Sequence, residues 1–128
     1  MTETRTVAII GASPDRSKFG NKSVRAHHRA GFTVYPVNPR GGEIEGLPAF
    51  ASLADIGVAP LDRVSVYLPP HIALDVLDQV AEIGCRQLWL NPGCDTPEVI
   101  ARAEALGLNV VAACSIVDVG FSPSEFPG

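Results

Sequence analysis

Four short segments of this chain carry residue types suited to holding an anionic ligand. The first is Gly11-Ala12-Ser13-Pro14-Asp15-Arg16-Ser17-Lys18-Phe19-Gly20. Its small residues let backbone amides approach an anion, a helix beginning there would add a positive pole, and Lys18 would neutralise phosphate. The spacing is neither Gly-x-Gly-x-x-Gly nor a Gly-Lys-Ser/Thr loop, and an ordinary strand-to-helix turn has a similar composition. The second is Asn38-Pro39-Arg40, where NAD sites usually place an acid to hold the ribose diol. A neutral amide beside a guanidinium favours a phosphorylated ribose instead. NADP and coenzyme A both carry one. The third, Leu68-Pro69-Pro70, is a rigid apolar corner suited to an adenine edge or a pantetheine arm. The fourth, Asn91-Pro92-Gly93, is a tight turn with no acid, base or nucleophile.

Groups for covalent chemistry are missing from these segments. Cys94 lies just ahead of a helix start at Thr96, which can depress a thiol pKa, but no histidine has a sequence tie to it. The 3 cysteines (Cys85, Cys94, Cys114) show no Cys-x-x-Cys spacing and read as small buried or semi-buried side chains. Adjacent His27 and His28 would diverge on a helix, so no metal ligand set is expected. Glu43 and Glu45 read as a solvated loop. No Ser-His-Asp order and no paired carboxylates occur. The expectation is a binding protein with no catalytic residue.

Strands and helices must alternate to position these loops. Thr6–Ile10 is a β-branched apolar run ending at Gly11, as in a central parallel strand buried on both faces. A polar helical segment, 18–30, stops at Gly31. Phe32–Val37 is the second strand, with Pro36 unable to donate to a ladder. Residues 38–60 are the least regular, with Ser52-Leu53-Ala54-Asp55 able to start one helical turn. Arg63–Leu68 is the third strand. Ile72, Val76, Leu77, Val80 and Ile83 then recur at helical spacing before Gly84. Gln87–Leu90 is the fourth strand, Thr96 and Pro97 begin a helix that Gly107 ends, and Leu108–Ala112 is the fifth strand. This alternation predicts an α/β Rossmann-like, doubly wound parallel sheet of five strands in the order 3-2-1-4-5, with helices on both faces. Residues 120–128 read as an irregular tail.

The bulk properties narrow the partners. At 128 residues the chain suits one domain, 1–128. A net charge of -4 gives no footprint for nucleic acid, and scattered Lys and Arg give no membrane patch. No apolar run approaches a membrane span, and Met1–Arg5 lacks the apolar core of a signal peptide. The chain reads as cytoplasmic, with its oligomeric state and any protein partner left open.

Five segments in the same order resemble a known family. Val7–Pro14, Lys18-Phe19-Gly20-Asn21-Lys22, Tyr35–Ile44, Gly46–Phe50 with Ser52–Ile56, and Leu88–Gly93 are similar to the stand-alone CoA-binding domain proteins. Those resemble the N-terminal domain of the succinyl-CoA synthetase α subunit. The likeness implies CoA as ligand, lying across the carboxyl ends of the strands. Carried over, it places Gly11, Ala12, Ser13 and Lys18 around phosphate, and Asn38, Pro39 and Arg40 beside the adenosine phosphate. It places Tyr67, Leu68, Pro69, Pro70 and Ile72 along the nucleotide, and Asn91, Pro92 and Gly93 toward pantetheine. The synthetase's phosphorylated histidine belongs to a domain these residues do not include. Two departures stand out: Asn91 where the family often has Gln, and Ala113-Cys114-Ser115 where many members have Arg-Cys or Asn-Cys and then Lys. The expected function is non-covalent binding of CoA or an acyl-CoA. The alternatives are an NADP-binding redox protein and an interaction module with a vestigial pocket.

Overall fold

A computed structural model describes residues 5–128; the reading of Met1–Thr4 as lacking a signal peptide lies outside the described residues. In chain order the elements are β1 (Thr6–Ile10), α1 (Phe19–Arg29), β2 (Thr33–Val37), β3 (Glu43–Ile44), β4 (Leu47–Pro48), β5 (Leu61–Val66), α2 (Pro70–Ile83), β6 (Cys85–Leu90), α3 (Pro97–Ala105), β7 (Val110–Val111) and α4 (Ser115–Asp118). Two 3-10 turns, Leu53–Ile56 and Pro123–Glu125, complete the set.

The main sheet is five-stranded and parallel throughout, as the alternating pattern implies. Its order is β2-β1-β5-β6-β7, which corrects the expected 3-2-1-4-5. The second strand is an edge rather than an inner strand. Pro36 is the physical reason: an inner strand needs donors on both flanks, and a residue without an N–H is tolerated at an edge. The outer flank of β2 is covered by a single bridge, with the Phe50 amide donating to the Pro36 carbonyl at 2.8 Å.

Alternation along the strands divides the core into two layers. Ala8, Ile10, Val64, Val66, Leu88 and Leu90 pack against Ala73, Leu77 and Val80 of α2 and Val99 and Ala103 of α3. On the other face Val7 and Ile9 meet Val24 of α1, Phe32 and Val34. Thr96 caps α3 by accepting from the Val99 amide at 3.3 Å, and Gly107, with φ 80°, turns the chain out of it.

Two regions differ from the expectation. Residues 38–60 contain a small β3–β4 hairpin besides the short turn after Ser52. Residues 120–128 are docked rather than irregular: Ser122 and Glu125 form a reciprocal capping box, and Phe126 is 1% exposed against Ala26 and Ile116.

Candidate functional site

The loops after β1 and β5 diverge at the point where strand order reverses, which opens a crevice beyond the carboxyl ends of the strands. The helices that follow those two strands lie on opposite faces of the sheet. Two contacts in this region require glycine. A Cβ at Gly11 would collide with the Tyr67 carbonyl oxygen, and one at Gly20 with the Gly11 carbonyl oxygen. These glycines let β1, β5 and the start of α1 pack closely, and Gly20 also lines the crevice.

The crevice is a cavity of about 670 Å³, within the range of small-molecule sites. Gly11, Ala12, Ser13, Lys18, Asn38, Pro39, Tyr67, Leu68, Pro69, Ile72, Pro92 and Gly93 all line it. Arg40 lies instead in an adjoining hollow of about 350 Å³, which shares Ser13 and Asn38 with the main cavity. Two expected residues stand outside both. Pro70 is the first residue of α2, where its lack of an N–H costs nothing. Asn91 is buried and its amide is saturated. Its Nδ2 donates to Ser65 Oγ at 2.8 Å and the Val66 carbonyl at 2.9 Å, while its Oδ1 accepts from the Ser115 amide at 2.9 Å and Ser115 Oγ at 3.1 Å. This residue ties β5, β6 and α4 together and lines neither cavity.

Asn38 is likewise committed to the backbone. Nδ2 donates to the Ala12 carbonyl at 2.9 Å and Oδ1 accepts from the Arg40 amide at 2.9 Å. It therefore locks the first two loops to each other and aims the turn that carries Arg40. Among the described residues neither Lys18 nor Arg40 enters a salt bridge. One cation without a salt bridge thus lines each lobe, with Asp15 and Glu43 beside Arg40 in the second.

The remaining polar groups are fixed from below. The Tyr67 hydroxyl is within 2.9 Å of Ser115 Oγ, which is 2.7 Å from Ser65 Oγ. Burial pushes the Tyr67 hydroxyl up from its ordinary value, against the hydrogen bond from Ser115. Cys94 lines the cavity but is buried, and desolvation raises its thiol pKa, outweighing any effect of the helix start at Thr96. The Asp15 carboxyl is held below its ordinary value, chiefly by the hydroxyl and amide of Ser17, in a turn that shapes the first loop.

Several lining residues escaped the sequence reading. Val76 and Gln79 follow Ile72 by four and seven positions, so helical spacing alone could have assigned all three to one cavity-facing stripe. Phe19 and Ile72 are 59% and 41% exposed at the cavity, where apolar side chains meet solvent. Ala51, Ser52 and Leu53 arrive from the irregular 38–60 segment and had no local signal.

Among the described residues no cluster of His, Cys, Asp and Glu could hold a metal, and no helix is long and apolar enough to cross a membrane.

Comparison with known proteins bears on the ligand. The family model described as the CoA binding domain matches residues 5–120. The chain is 42% identical over 117 residues to the ADP-forming acetate–CoA ligase I of Archaeoglobus fulgidus, an alignment covering 84% of this chain and 17% of the ligase. A conserved hypothetical protein from Pyrococcus furiosus superposes with a TM-score of 0.80 at 32% identity, covering 89% of this chain and 98% of that one. The dinucleotide-forming acetyl-coenzyme A synthetase 1 of Ca. Korarchaeum cryptofilum, in its apo form, superposes at 0.72 with 26% identity, over 84% of this chain and 26% of the synthetase.

Proposed function

Because the chain belongs to the CoA-binding domain family, we propose that its crevice holds coenzyme A or an acyl-CoA, non-covalently and without catalysing a reaction by itself. The observation that carries this reading is the two-lobed site with a cation free of salt bridges at each lobe, Lys18 and Arg40. Coenzyme A has phosphate at two separated places, the pyrophosphate and the ribose phosphate. Lys18 and the Gly11–Ser13 backbone suit the first, at the start of α1. Arg40 suits the second, held by the Asn38 turn. Phe19, Leu68, Pro69 and Ile72 supply apolar surface for adenine, and Pro92 and Gly93 leave room for the pantetheine arm.

The non-catalytic half rests on the titratable groups available. Lys18, Tyr67 and Cys94 are those lining the main cavity, and burial keeps Tyr67 and Cys94 in their neutral forms. A neutral phenol and a neutral thiol without a basic partner are poor nucleophiles. The chain spans 17% of the Archaeoglobus ligase, and we read residues 1–128 as one unit that performs the CoA-holding share of such an enzyme's work. Native mass spectrometry of the freshly purified protein tests this directly. A mass increment of CoA or an acyl-CoA that vanishes on denaturation is expected; an increment of NADP, or one that survives denaturation, contradicts the reading.

A further inference from the structure

We propose that residues 121–127 form a strap that sets the phosphate-facing loop through Arg25, so that strap docking and site occupancy reinforce each other. The ligand arm of this proposal rests on the crevice being the CoA site; the structural arm does not.

The strap lies on α1, is anchored by Phe126 in a small cluster with Ala26 and Ile116, and leads into Gly128, which sits against Ser17 of the β1–α1 loop. Arg29 and Arg25 stand over the Phe126 ring at 4.8 and 5.6 Å from its centroid. Arg25 does more than cover that ring. NH1 donates to the Pro127 carbonyl at 3.1 Å, and NH2 to the Phe126 carbonyl at 3.0 Å and the Arg16 carbonyl at 2.9 Å. Nε donates to Asn21 Oδ1 at 2.8 Å. A planar guanidinium with its donors in a fixed fork thus grips the strap on one side and the β1–α1 loop on the other.

Asn21 carries the link to the crevice. It is 0% exposed, and its Nδ2 donates to the Ser13 carbonyl at 2.9 Å and to Glu45 Oε2 at 3.1 Å. Ser13 lines both lobes of the site. A continuous path therefore runs from the Phe126 and Pro127 carbonyls through Arg25 and Asn21 to the loop that faces phosphate. The strap's only regular element is a three-residue turn, so apart from Phe126 and the Arg25 bonds little holds it in place. If docking fixes the loop in its ligand-ready form, linkage requires that ligand fix the strap in turn.

Amide hydrogen exchange and CoA titration on the full chain test the proposal with Arg25→Gln, Phe126→Ala and the double variant. Each single variant should speed exchange of the Ser13 and Asp15–Lys18 amides and raise the CoA Kd about tenfold, the size of one charge-assisted contact weakened at the loop. The double variant should be no worse than the weaker single, because both break one path. CoA should slow exchange at Phe126 in the wild type. Unchanged loop exchange in both single variants, or effects that multiply in the double, overturns the strap. Should Arg25→Gln not fold, Arg25→Lys replaces it: the charge stays but the fork is lost, and the loop should loosen equally. A wild type that binds no CoA defeats the crevice reading, while the loop exchange still decides the structural arm.

Discussion

Arg40 is the residue proposed to read the ribose phosphate, a group that CoA and NADP share. Its backbone is pinned by Asn38, and its side chain serves the hollow beside the main cavity. Arg40→Ala should weaken CoA about tenfold while leaving dephospho-CoA nearly unchanged, as expected for loss of one guanidinium–phosphate contact. Calorimetry with both ligands reads this, and equal losses would show that Arg40 does not read the ribose phosphate. His27 makes a separate prediction about stability. It is 0% exposed, with Nδ1 2.8 Å from the Ser23 carbonyl and Nε2 without a partner, against the edge of Phe32. Desolvation lowers its pKa to about 4, partly opposed by the Ser23 contact. The depressed value makes neutral His27 a stabilising feature that is complete above the unfolded value near 6.5 and is lost as pH falls toward about 4. Urea unfolding should show a loss on the order of 3 kcal/mol across that window, and His27→Gln should flatten it. An unchanged slope in His27→Gln would assign the acid sensitivity elsewhere. From sequence, His27 could be dismissed as a metal ligand, but nothing local showed that its second nitrogen would be buried.

Among the elements, strand and helix identity followed from hydrophobic period, and the loops after β1, β2, β5 and β6 could be singled out because ligands gather at strand carboxyl ends. The roles of the amides in those loops were harder to read. Asn38 and Asn91 look alike in sequence, each followed by proline at the end of a strand. One pins the second loop beside the crevice; the other sits in a buried network joining β5, β6 and α4. That network depends on Ser115, which is 24 residues away, so no local pattern could reveal it. Asn91→Ala should cost about 2 kcal/mol in urea unfolding, because it strands the buried Ser115 amide and leaves Ser65 Oγ only its Ser115 partner. The CoA Kd of the folded variant should move less than about threefold. A large loss of affinity with stability intact would instead return Asn91 to the pantetheine side.

At the scale of the whole molecule, α/β layering was legible but the order of strands was not. Periodicity labels a strand as buried without saying which neighbours it has. Pro36 held the missing information, since it marks β2 as an edge, and the reading that made β2 an inner strand conflicted with it. The tail escaped for a related reason: Ser, Pro and Gly suggest irregularity, while one buried aromatic, Phe126, decides that the segment docks. The corrected order leaves the central claim in place, because strand order still reverses beside β1 and the crevice still opens there. Titration calorimetry with CoA, acetyl-CoA, NAD and NADP is the most direct test of that claim. Saturable binding of CoA or acetyl-CoA, with NAD and NADP silent, is the predicted result; tight NADP binding with no CoA signal would contradict it.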